Sequence, residues 1–330
     1  MGIPYLDRAL SRTVSSAGVV LDGVLRAYES LADHRHTLPS EQIPSPSRTK
    51  TVHLIRGMTH FAPSHAFMAT FKSLGHTPKL FTYEPEHERN RFRQWRENSV
   101  DVLAHFINQP SDLGPDPVFL GHSAGGFVVY ILAALADGAN PEKILEVLKP
   151  AAPLASVLTV QNLSILGRKL KQTNAQFVVL GTPIHGIRLT KLGKAFDWLL
   201  RQTTIPNFLS SITHETIQNV YKTIGKDPEK VIDTFFVSKT PPNTTSKNPL
   251  SWLVQELLRH GYKICSPFLD HEEENDGLVP VSTAQPRSDE GRKKTKWIRF
   301  DHLKMFDLAG AAFEVGGHLF FTGESEISLQ

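Results

Sequence analysis

VFLGHSAGGFVVY, residues Val118 to Tyr130, decides how this chain is read. An apolar run enters Gly121-His122-Ser123-Ala124-Gly125-Gly126, and a second apolar run leaves it. The first suits a buried strand and the second a buried helix, so the Ser123 hydroxyl stands at a tight strand-to-helix turn. Such a turn strains the backbone of its central residue, and glycines are needed where side chains would strike the strand or the helix. Oγ is then lifted clear at a helix N-terminus, whose dipole favours negative charge. Gly-x-Ser-x-Gly is short enough to arise by chance, and the elements around it give it weight. A glycine-rich packing turn is the plainer alternative.

The chain around this turn alternates between strand and helix signals. TVHLIRG (51–57) reads as a strand, PSHAFMATFKSL as a helix closed by Gly75, and KLFTYEP (79–85) as a strand. SVDVLAHFINQ ends the next helix, and AGGFVVYILAALADG forms the one after the serine, with Gly138 past its end. AQFVVLGTP, VIDTFFVS and KWIRF are further strands. Strands that are apolar throughout, with helices between, predict an α/β fold: a mostly parallel sheet covered by helices on both faces. Right-handed crossovers gather the loops after the strands along one edge.

Outside that core, residues 1–35 place Leu6, Leu10, Val14, Leu21, Val24 and Leu31 at three- and four-residue steps, an amphipathic helix. Packing on the main domain is its simplest use; transient contact with a membrane surface or a partner is the other. A Pro/Ser-rich linker spans 36–50, and the catalytic-type domain spans 51–330. Within it, about 186–260 reads as a helical cap, with KLGKAFDWLLRQ and SWLVQELLRHGY as its clearest helices.

A serine hydroxyl is a weak nucleophile until a base takes its proton. In sheets of this kind the order along the chain is Ser, acid, His, each after a strand. NDGLVPVS offers Asp276 in a polar turn, and KWIRFDHLKMF offers His302 directly after a strand. His318 falls beyond the following helix, His271 precedes the acid in an acidic loop, and Asp301 is read as a cap or surface residue beside His302. The developing oxyanion needs two preorganised N–H groups. Ala124, after the nucleophile, supplies one, and Met58, after Gly57 in LIRGMTHF, is the expected second. His60 and Phe61, together with His122, Ile184, His185 and Leu278, are the expected lining of the substrate pocket.

Four separated pieces, GHSAGG, VVLGTPIHG, NDGLVP and FDHLKM, together resemble the α/β-hydrolase superfamily, and bacterial triacylglycerol lipases in particular. The resemblance runs over roughly residues 51 to 315. It implies an α/β-hydrolase fold with a helical cap, a Ser123–His302–Asp276 triad, and hydrolysis of carboxylic esters through an acyl-enzyme. Three departures stand out. Arg56-Gly57 occupies the oxyanion strand where the family usually has His-Gly, the signal peptide that the family's secreted members carry is not read here, and Lys304 replaces an aspartate through which many members bind calcium; one residue is also inserted before His185 in the second piece. No calcium is therefore carried over, and no metal or cofactor is expected. The acidic loop with Asp270 and Glu272 to Glu274 reads as solvated rather than cation-binding.

The implied substrate is a lipid or small ester. Phe196, Trp198, Phe208 and Leu209 in the cap suit an acyl chain, although the same spacing suits a core. The basic stretch HERNRFRQWR suits anionic headgroups or a solvated helix face. Phospholipase and thioesterase action are the neighbouring alternatives, and a non-catalytic hydrolase-fold binding protein is the alternative from another class. A net charge of +3, with 36 basic and 33 acidic residues, argues against nucleic acid. Cys265, the single cysteine, rules out an intrachain disulfide. The early Asp7 and Arg8 do not suit a secretory signal, so a cytoplasmic protein is expected, with export by a signal-free route left open.

Overall fold

The computed structural model describes residues 49–57, 65–81, 94–150, 156–191, 194, 208–239, 274–276, 279–300, 302, 305 and 309–320. Among these residues the centre is a six-stranded, all-parallel sheet in the order β2-β1-β3-β4-β5-β6. The strands are β1 (Thr51–Ile55), β2 (Thr77–Leu80), β3 (Val118–His122), β4 (Gln176–Leu180), β5 (Thr234–Val237) and β6 (Thr295–Trp297).

Successive strand residues serve opposite faces, which explains why β1, β3 and β4 carry almost no polar positions. Val52, Leu54, Val118, Leu120, Val178 and Leu180 face one way, where Phe67, Phe71, Ala311, Ala312 and Val315 close over them. Those residues come from helices His65–Ser73 and Ala309–Phe320, which pack together. Ile55, Phe119, Phe177, Val179 and Phe235 face the other way, against helices Trp95–Asn108, Gly125–Ala136 and Val160–Gln172. Helix Gly125–Ala136 is buried from Gly125 to Leu135, which is why its sequence is apolar all round. Polar caps set helix starts around it: Asn140 accepts from the Glu142 N–H, and Thr159 from the Asn162 N–H.

Strand order reverses direction between β1 and β3: β2 lies on one side of β1, and everything from β3 onward on the other. Crossovers leaving opposite ways open a crevice at the C-terminal ends of those two strands, the place where open sheets bind ligands. Gly57 follows β1 there, and Ser123 follows β3.

Several boundaries differ from the sequence reading. β2 begins at Thr77, two residues before KLFTYEP, because Pro78 and Leu80 pair with Val52 and Leu54. β6 stops at Trp297, although Ile298 stays buried beneath the helical layer. The last helix begins at Ala309 and continues to Phe320, so His318 lies within it rather than past it. The span 186–260 is not all cap, since β5 lies inside it and pairs with both β4 and β6. Its described helices include His214–Ile224, which packs on helix Pro141–Leu148, and Pro228–Val231, which packs on helix Gly125–Ala136. Residues 1–48 and 240–273 lie outside the described set, and with them the N-terminal helix, most of the linker, the helix at SWLVQELLRHGY and the acidic positions 270–273.

Candidate active site

Ser123 has φ +54°, a left-handed conformation that a serine adopts only when its surroundings impose it. Three constraints hold it there. Its N–H donates to the Leu180 carbonyl of β4 (2.9 Å), β3 ends one residue earlier, and helix Gly125–Ala136 starts two residues later. The glycines are steric necessities. A Cβ on Gly121 would sit 2.6 Å from the Gly125 carbonyl oxygen, and one on Gly125 would press into the backbone oxygens of Ile55 and Arg56. The helix can therefore start directly under the serine, which is half-buried at the crevice.

Ala124, with φ −63°, caps that helix and is buried. A Cβ placed on Gly57 would stand 3.0 Å from Ser123 Cβ and 3.2 Å from the Ala124 nitrogen. The chain leaving β1 thus passes directly over the Ser123 turn. Met58, His60 and Phe61 lie outside the described residues. Arg56, where the resemblance expected His, is buried at the end of β1.

Asp276 and His302, read from the sequence as acid and base, meet in space. Asp276 Oδ2 accepts from His302 Nδ1 at 2.8 Å, and both residues are buried. Asp276 Oδ1 accepts from the Val279 N–H (2.7 Å), inside a turn closed by an Asn275–Pro280 bridge. The His302 N–H donates to the Asp276 carbonyl at 2.8 Å, and the His302 carbonyl accepts from His122 Nε2, also at 2.8 Å. His302 is therefore held at its N–H, its C=O and its Nδ1. Its one remaining polar atom, Nε2, is buried and without a hydrogen-bond partner among the described residues, the Ser123 hydroxyl included. Because Nδ1 gives its proton to a carboxylate, the Nε2 lone pair is available.

The pair also lies close to the serine turn. A Cβ on Gly181 would fall 3.1 Å from His302 Nδ1 and 3.2 Å from Asp276 Oδ2, and the preceding residue, Leu180, is the one that accepts from the Ser123 N–H. His122, bonded to His302, is the residue before Ser123. The Asp276–His302 pair and the Ser123 turn thus share neighbours at the C-terminal ends of β3 and β4.

The residues expected to line the pocket are placed differently. His122 is buried, with its ring turned to the His302 backbone and its centroid 4.7 Å from the His302 ring. Burial, then the neighbouring His302, hold its pKa well below the ordinary imidazole value. Ile184 is buried, and its carbonyl accepts from the Tyr221 hydroxyl (2.6 Å). His185 is tied on three sides: its N–H donates to the Thr283 carbonyl, its ring bonds the Gln285 carbonyl at 3.0 Å, and its carbonyl accepts from His214 Nδ1. Burial and then Arg287 lower its pKa. Beside it, the buried Glu229 carboxylate accepts the Arg287 and Ser288 N–H groups at 2.7 Å each. Burial raises the Glu229 pKa, but those donors outweigh it and leave the group below its usual value. His185 and Glu229 therefore tether the segment that follows the acid turn. Nothing local in the sequence marked Glu229, since its partners lie 58 and 59 residues away. Leu278, Phe196 and Trp198 lie outside the described residues, as do the side chains of Phe208 and Leu209.

Among the described residues no group of three or more His, Cys, Asp or Glu could hold a metal ion, and no helix is long and apolar enough to cross a membrane. Of the basic stretch 87–96, Arg96 is described: its guanidinium stacks on Trp95, and its Nε donates to the Val147 carbonyl.

No protein-family model matches this chain, and no curated protein matches it in sequence. Solved structures do. The lipase of Staphylococcus hyicus superposes with a TM-score of 0.50 at 12% identity, covering 84% of this chain and 97% of the lipase. The mature form of the Bacillus licheniformis lipase BlEst2 aligns with a TM-score of 0.46 at 15% identity, over 87% of this chain and 94% of that one.

Proposed function

We propose that this chain, whose fold is that of the α/β-hydrolases, is a serine carboxylic-ester hydrolase of the lipase/esterase kind. One observation carries the reading. A buried histidine fixed at three of its four polar groups has no partner for Nε2 among the described residues, near the turn where a strained serine follows a central strand. Most buried side-chain polar atoms in native structures are hydrogen-bonded, so an open imidazole nitrogen at this rim calls for a functional account.

In the proposed cycle Ser123 Oγ attacks the ester carbonyl as His302 Nε2 removes its proton. Asp276 keeps the proton on Nδ1 and stabilises the imidazolium. The tetrahedral oxyanion forms over the helix N-terminus and takes the Ala124 N–H; the second donor is assigned to Met58. The C–O bond to the alcohol then breaks, and His302 returns the proton to the departing alkoxide. Water then attacks the acyl carbonyl as His302 takes its proton, the bond from carbon to Ser123 Oγ breaks, and His302 returns the proton to Oγ as the carboxylic acid leaves. A resting structure in which Nε2 and Oγ are not yet bonded accords with sites that tighten when substrate arrives.

The test is hydrolysis of p-nitrophenyl esters of graded acyl length, paired with covalent labelling by a fluorophosphonate. The reading expects turnover and a label located on Ser123, both lost in Ser123→Ala. An unlabelled wild-type protein, or a Ser123→Ala protein with full activity, ends it.

A further inference from the structure

We infer that His122 is a positioning residue for His302, an inference that rests on reading Ser123, His302 and Asp276 as a hydrolytic triad. His122 Nε2 reaches the His302 carbonyl oxygen across 180 residues of sequence, at 2.8 Å. A carbonyl oxygen only accepts, so Nε2 carries the proton and the neutral ring donates. Both imidazoles are buried, at 5% and 3% exposure, and their rings are tilted 40° to one another.

The geometry explains why such a bond is needed. His302 follows β6, a three-residue strand at the edge of the sheet, while the nucleophile follows β3 near its centre. Asp276 holds the N–H and Nδ1 of His302, two anchors from one residue. Two anchors leave the residue free to tilt about the line joining them. The bond to the carbonyl supplies a third point, and it comes from the last residue of β3, joined to Ser123 by one peptide. The separation between Nε2 and Oγ is then set through His122 rather than through the strands lying between β3 and β6. An error of about 1 Å in such a separation costs on the order of 10²-fold in rate. A neutral donor suits the place. A permanent cation there would oppose the imidazolium that forms on His302 during each turnover.

The test compares three variants of the full chain. His122→Phe keeps a ring and loses the donor. His122→Gln puts an amide N–H near the position of Nε2, and His122→Asn carries the same amide on a stem too short to reach. The inference expects kcat to fall roughly 10²-fold in the Phe and Asn variants with KM unchanged, and to recover in the Gln variant. The second readout is the downfield Nδ1 proton of His302 in NMR spectra, assigned by its loss in Asp276→Asn. It should shift or broaden in the Phe and Asn variants and return in the Gln variant. If the Phe variant does not fold, the contrast between Gln and Asn carries the same decision. Equal kcat in Gln and Asn variants, or an unmoved resonance in both short-of-donor variants, overturns the inference. A wild-type protein without esterase activity or fluorophosphonate labelling would instead overturn the triad, and the resonance would still report whether His122 holds His302.

Discussion

His302 Nδ1 stands 2.8 Å from Asp276 Oδ2, and each residue also bonds the other's backbone, through the His302 N–H and the Asp276 carbonyl. A pair joined twice cannot rotate one partner without disturbing the other. The imidazole plane is thereby fixed, with the Nδ1 proton given to the carboxylate.

Asp276→Asn tests that arrangement with little change of shape. The amide oxygen can keep the Val279 N–H, while its NH2 faces Nδ1 and drives the ring proton onto Nε2. The expected result is a kcat lower by roughly 10⁴-fold on a p-nitrophenyl ester, with near-native folding by circular dichroism. A loss smaller than tenfold would mean that the tautomer does not matter.

Ser123 holds a positive φ that glycine accepts freely. Ser123→Gly should therefore raise unfolding free energy by about 1 kcal/mol in urea titrations while abolishing labelling. A variant less stable than wild type would show that the turn is not under strain.

Gly125→Ala should do the opposite. The added methyl would lie 2.7 Å from the Arg56 carbonyl oxygen, and both sides of the contact are backbone. A loss of about 3 kcal/mol is expected from denaturant midpoints, because neither the helix start nor the end of β1 can retreat. Wild-type stability would contradict the close approach.

His53 makes stability depend on pH. It is buried on β1, stacks on Phe119 and bonds the Leu113 carbonyl, and burial is the main reason its pKa falls to about 4. Its folded value lies below the unfolded one, near 6.5, so the unfolded chain binds the extra proton between them. The contribution is intact above about pH 6.5, declines as pH drops toward 4, and amounts to at most about 3 kcal/mol. Urea unfolding at pH 7 and pH 5 measures the slope, and the His53 ring signals should not titrate above pH 5 in NMR spectra. A His53 midpoint near 6.5 would refute the assignment.

The strands that compose the sheet were legible because a strand buried on both faces is apolar at nearly every position, as VFLGH and QFVVL are apart from one terminal residue each. The serine turn was legible for a related reason. Its steric demands fall on residues a few positions apart, and glycine is the only side chain that meets them. Order along the chain then singled out Asp276 and His302 as candidates, since crossovers of one hand bring strand ends to one rim, and the structure joins the two by a hydrogen bond.

What the linear order could not decide was the second tier of contacts. His122 and His185 read as pocket residues because they flank the motif glycines, yet their rings turn away to hold the His302 and Gln285 carbonyls. Glu229 carries no local mark at all, although it fixes the segment after the acid turn. Local steric rules write themselves into neighbouring residues, so the pattern and order of residues determined the sheet, the serine turn and the candidates Asp276 and His302. A side chain's direction and its partner across 60 or 180 residues depend on packing that exists only after the sheet has closed, and that part the tertiary structure decided.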